Sequence, residues 1–122
     1  MTSTEPKRGD LFWIDWSPGR GSEQQGRRPA LIVQTYSANT NPRYTNTIVV
    51  AVSTKGRPVP LHVALEPTEQ NGLSELSYAK CEQLMTISKD RLGERIGQIT
   101  AEEQLAVDQA LRRALSLNER YS

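Results

Sequence analysis

The sequence predicts a mainly β domain with one C-terminal helix (α+β), built as a small barrel or curled sheet. Three observations carry that reading. Apolar residues first recur with the two-residue period of a strand, or in short continuous runs. Polar breaks rich in Gly, Pro and Asn separate those runs. The only clear helical periodicity comes last, behind a capping signal.

The elements follow in order. In 10–16, Leu11, Trp13 and Asp15 fall on one face, with Phe12, Ile14 and Trp16 on the other. Segments 29–35 and 47–53 are near-continuous apolar runs of the buried-strand type. Between them, 37–46 reads as a polar loop, too long for a tight hairpin, with Tyr44 as a possible stacking surface. A second loop, 54–58, leads into a strand at 61–65, and a turn near 69–73 precedes a strand at 77–86. Thr100 and Glu103 form a capping box. Behind it Val107, Leu111 and Leu115, with Ala110 and Ala114, line one helical face to about residue 117.

Composition bounds the function. A chain of 122 residues is expected to form one domain over 1–122, with 1–7 flexible, and to bury roughly 65–70% of its unfolded surface. No apolar run approaches the roughly 18 residues of a membrane span, and the N-terminus lacks the apolar stretch of a signal peptide, so a soluble cytoplasmic protein is expected. A single cysteine excludes an intramolecular disulfide and a Cys-based zinc site; Cys81 reads as a small buried hydrophobe. The net charge is only +1, but it is unevenly spread. Residues 1–60 hold eight Lys/Arg against four Asp/Glu, and 61–122 hold seven against ten, giving +4 and −3. A local positive field in the first half is therefore compatible with near-neutrality overall.

That half contains the densest chemistry, Gly21-Ser-Glu-Gln-Gln-Gly-Arg-Arg-Pro-Ala-Leu-Ile-Val33. Its glycines permit tight turning, and Pro29 fixes its own φ while pushing Arg28 toward an extended conformation at a strand mouth. A guanidinium held there fits phosphate oxygens in a fork. RNA carries its own nucleophile, the 2′-hydroxyl, so cleavage requires no metal, cofactor or covalent intermediate. It requires a base for the 2′ proton, positive charge on the phosphorane and help for the leaving 5′-oxygen. Glu23 is a candidate base, Arg28 a candidate clamp and Ser53, at a strand end, a candidate donor. The plainer alternatives are solvated Arg27 and Arg28, a surface ion pair for Glu23, and a backbone-capping hydroxyl for Ser53. His62 reads as structural, since a single histidine without a partner makes a poor acid–base pair.

The same run, with Arg8-Gly-Asp-Leu-Phe-Trp-Ile-Asp-Trp-Ser-Pro18 before it, closely resembles the opening of the MazF/PemK family of toxin endoribonucleases. Val49-Val-Ala-Val-Ser-Thr54 is similar to the family's strand ending in a hydroxyl pair. Cys81-Glu-Gln-Leu-Met-Thr-Ile-Ser-Lys-Asp-Arg-Leu92 is similar to its C-[DE]-Q-x-x-T-I segment. The resemblance spans residue 8 to the C-terminus. It implies an SH3-like barrel of the kind shared with CcdB, the catalytic Arg on Arg28, the functional loop Glu on Glu23 and the strand-end hydroxyl on Ser53, where Ser replaces the usual Thr, with Thr54 as the fallback. Lys80 and Glu82 occupy places where one branch carries Arg and Asp, and Met85 stands where many relatives have Arg. Gln24 and Gln83 bring amides able to read base edges of single-stranded RNA, and Arg27, Lys55 and Arg57 add charge to the groove.

The implied protein is a cytoplasmic, metal-independent, sequence-selective endoribonuclease that leaves a 2′,3′-cyclic phosphate and a 5′-hydroxyl. It is implied to be a homodimer held in check by an antitoxin with an acidic, disordered tail. The alternative is a CcdB-like barrel that inhibits a protein target such as DNA gyrase by binding alone.

Overall fold

The computed structural model describes residues 5–15 and 27–117, and the order of elements is β1 (Asp10–Asp15), β2 (Arg27–Ile32), α1 (Tyr36–Asn39), β3 (Asn46–Ser53), β4 (His62–Leu65), β5 (Ser77–Ser88), β6 (Leu92–Gln98) and α2 (Ala101–Leu115). The strands form a six-stranded sheet in the order β4-β5-β3-β2-β1-β6, every neighbouring pair antiparallel. The expected mainly β architecture with a closing helix is what the chain adopts.

Both faces of the central strands are buried, which is why their sequences read as continuous apolar runs. Leu11, Leu31, Val50 and Val52 face α2, where Val107 and Ala110 complete one cluster with Leu65, Ala79 and Cys81. On the opposite face Phe12, Ile14, Ala30, Ile32 and Val49 form a second cluster, flanked by Met85, Ile87 and Leu92. The capping box at the start of α2 is present in full: Thr100 Oγ1 accepts from Glu103 N, and Glu103 Oε1 accepts from Thr100 N.

Two elements depart from the sequence expectation. The 37–46 loop begins with a helical turn, α1, whose Asn39 is wholly buried. Its amide is satisfied locally: Oδ1 accepts from Gln34 Nε2 and Thr47 Oγ1, and Nδ2 donates to the carbonyls of Pro6 and Gln34. A polar residue is thus buried because four hydrogen bonds from three residues converge on it. The second departure is β6, in a segment to which no strand was assigned. Two glycines and three long polar side chains hide it, since these residues have low strand propensity. The glycines mark close backbone approaches instead. A Cβ on Gly97 would lie 2.3 Å from the Gln70 carbonyl oxygen, and one on Gly72 (φ +70°) would lie 2.4 Å from that of Ile96. Gln98 N donates to Gln70 O, so the loop after β4 packs on β6.

Strand β5 carries the feature that positions the site. Ala51 pairs with Lys80, but the next residue along β3, Val50, pairs with Leu84. Residues 81–83 therefore bulge from the ladder, and the alternation of side chains reverses across them.

Candidate active site

The β2–β3 ladder runs no further than Ala30–Ala51, and Pro29 has no N–H with which to extend it. Beyond that pair, Arg28 and Ser53 diverge and leave a cleft of about 230 Å³, lined by these two residues with Lys80 and Gln83 and by Ala51, Val52, Pro29 and Met85. The odd number of bulged residues lets Lys80, before the bulge, share the cleft with Gln83 and Met85 beyond it.

Arg28 is an exposed residue, held through its backbone opposite Ile14 of β1. Ser53 is half-buried, and its Oγ accepts from Lys55 N at 3.0 Å. That contact is the backbone cap allowed for from the sequence, and it leaves the hydroxyl hydrogen able to donate into the cleft. Thr54, Lys55 and Arg57 lie exposed on the following turn and do not line it. Arg27 is turned away: its guanidinium stacks over Trp13, 4.9 Å from the ring centroid. Met85, where many relatives carry Arg, forms apolar wall beside the second cluster.

Glu82 meets His62, with Oε2 3.0 Å from Nε2. Slight burial pushes the Glu82 carboxyl up, but the His62 hydrogen bond, its own backbone amide and the electrostatic pull of His62 and Lys80 together hold it below the usual range. Cys81 points to the opposite side, into the core beneath α2. Burial, aided by the negative charges of Glu82 and Asp108, raises its thiol to about 11, so it carries little thiolate near neutrality. Glu23 and Gln24 lie outside the described residues, as does Trp16. Among the described residues, no three His, Cys, Asp or Glu side chains gather as a metal site.

The chain also matches known proteins over most of its length. Residues 7–115 fit the PemK-like, MazF-like toxins of type II toxin–antitoxin systems. The chain belongs to this family. It is 36% identical over 115 residues to the endoribonuclease MazF of Staphylococcus epidermidis, covering 92% of each chain. A solved mycobacterial endoribonuclease shares 26% identity at a TM-score of 0.74, covering 94% of this chain and 95% of that one. Another, solved in complex with its cognate antitoxin, shares 28% identity at 0.75, with 92% and 96% covered. These relatives favour the nuclease family over a CcdB-like inhibitor.

Proposed function

We propose that this protein is a sequence-selective endoribonuclease for single-stranded RNA, the toxin of a toxin–antitoxin pair, acting without a metal. The observation that carries the reading is the cleft in which Arg28, Ser53, Lys80 and Gln83 converge. A phosphodiester seated there meets two cations and a hydroxyl donor. The 2′-oxygen attacks phosphorus in line, its proton passing to a base, for which Glu23 is the candidate. Arg28 and Lys80 neutralise the equatorial oxygens while Ser53 donates to one of them. The bond to the 5′-oxygen breaks, and that oxygen takes a proton, leaving a 2′,3′-cyclic phosphate and a 5′-hydroxyl. A guanidinium, a planar cation with five donors and no acceptor, suits Arg28 to clamping rather than proton transfer.

Gln83 presents an amide to the nucleotide in the cleft, and Gln24 is assigned a similar role. Lys55 and Arg57 extend the positive charge along the chain of phosphates, whereas Arg27, assigned to the groove from the sequence, is engaged with Trp13 away from the cleft. Glu82 acts through His62 and Lys80, and Thr54 stands in reserve as a second hydroxyl. Whole-chain assembly as a two-fold dimer is supported by an apolar groove of about 390 Å³ beside the end of α2, where Leu84, Leu115 and Leu117 are 36%, 50% and 50% exposed. An antitoxin with an acidic tail would find Arg28, Lys55, Arg57 and Lys80 on its path. Among the described residues no helix is long and apolar enough to cross a membrane, and a cytoplasmic location would bring the enzyme to its RNA.

The test is incubation of labelled RNA with the protein in EDTA. Discrete cuts with 5′-hydroxyl ends, lost in Arg28→Ala, are expected. Intact RNA together with inhibited gyrase would return the binding-only alternative.

A further inference from the structure

The single histidine joins the backbone of the turn after β3 to the side chain of Glu82 on β5. His62 Nδ1 accepts from Arg57 N at 3.2 Å, while Nε2 lies 3.0 Å from Glu82 Oε2. An accepting Nδ1 carries no hydrogen, so the network assigns the ring proton to Nε2, which donates to the carboxylate. The imidazole is 9% exposed, and both of its nitrogens are used. The turn it holds is seated at two further points. Lys55 N is bound to Ser53 Oγ, and Gly56 lies against Tyr78 so closely that a Cβ would come within 2.4 Å of the Tyr78 Cβ.

We infer that His62 is a positioning residue for RNA binding, latching the turn that carries Lys55 and Arg57 to the bulge of β5 that carries Glu82 and Gln83. This rests on the endoribonuclease reading. Lys55 and Arg57 are long and exposed, and their charges act on fixed phosphates only if the turn beneath them is fixed. Without the Nδ1 acceptor the turn must be ordered by the RNA itself, and that cost appears in binding rather than in the chemical step.

Two substitutions divide the latch. In His62→Asn the side-chain oxygen falls near the position of Nδ1 and keeps an acceptor for Arg57 N. In His62→Gln the amide reaches toward Glu82 and that acceptor is lost. Amide hydrogen exchange at Arg57 is expected to accelerate at least tenfold in His62→Gln and to stay near the parental rate in His62→Asn. With labelled RNA, KM should rise about 3–10-fold in His62→Gln, the loss of one such hydrogen bond, with kcat changed less than twofold and His62→Asn near parental. Unchanged exchange at Arg57 in His62→Gln, or equal KM values for the two variants, overturns the latch. If His62→Gln does not fold, His62→Ala removes the same acceptor by truncation, and unchanged Arg57 exchange there overturns the latch equally. Should the parental protein leave RNA uncut, the nuclease reading falls, while the exchange data still decide the latch.

Discussion

Replacing Ser53 with Ala separates its two hydrogen bonds, because they act on different states. In the resting protein Oγ accepts from Lys55 N at 3.0 Å on an exposed turn. Water can take over that donor once the oxygen is gone, so the folding cost sits at the low end for a hydrogen bond, about 0.5 kcal/mol. The donation to a phosphorane oxygen exists only in the transition state, where one such donor contributes about 2.7–4 kcal/mol, or 10²–10³-fold in rate. Ser53→Ala should therefore melt within about 3 °C of the parent yet cleave 10²–10³-fold more slowly at saturating RNA, with KM raised no more than a few-fold by the loss of the Lys55 contact. Ser53→Thr keeps the hydroxyl and should recover most of the rate. The assay is single-turnover cleavage of an end-labelled RNA, run beside thermal denaturation. Folded Ser53→Ala cutting within threefold of the parental rate would refute Ser53 as a transition-state donor.

Three further outcomes are expected. Gly97→Ala should destabilise the fold by about 2 kcal/mol or more, because its Cβ would meet the Gln70 carbonyl at 2.3 Å, and chemical denaturation will read this directly. Cys81, buried and raised to about 11, should resist alkylation at neutral pH and react quickly only after unfolding, as mass spectrometry can follow. The depressed Glu82 carboxyl should contribute stability above the ordinary glutamate range and lose it as pH falls through its lower folded value. With a side chain 40% exposed, that contribution stays under about 1 kcal/mol, measured as the difference between parent and Glu82→Gln across pH 3–7.

The sequence was most legible where local chemistry and burial agree. The apolar runs of β2 and β3 and the Thr100–Glu103 cap needed no knowledge of neighbours. Strand β6 was hidden because its glycines answer to Gln70 and Trp13, residues distant along the chain. Asn39 looked like a loop residue because its partners come from α1's surroundings, β3 and the N-terminal segment. Within the cleft, Arg28 and Ser53 could be picked out by the strand ends they occupy. The pairing of Glu82 with His62 could not, since it depends on the register of β4 against β5 and on a bulge whose position no spacing rule reveals. Cys81, between two polar residues, is core as its residue type suggests, at 1% exposed.

That bulge also divides the strand into parts with unequal freedom to vary. Lys80 and its predecessors are pinned by β4 and β3 together, and residues from Leu84 onward by β3, whereas Glu82 and Gln83 stand opposite no residue of β3. A change of side chain at Gln83 alters the lining of the cleft without asking any cross-strand neighbour to adjust. Deleting one residue from 81–83, by contrast, would turn every later side chain of β5 to the wrong face and carry Met85 and Ile87 out of the second cluster. The lining of the cleft can thus change by point substitution at a position where length is fixed, on one unchanged sheet.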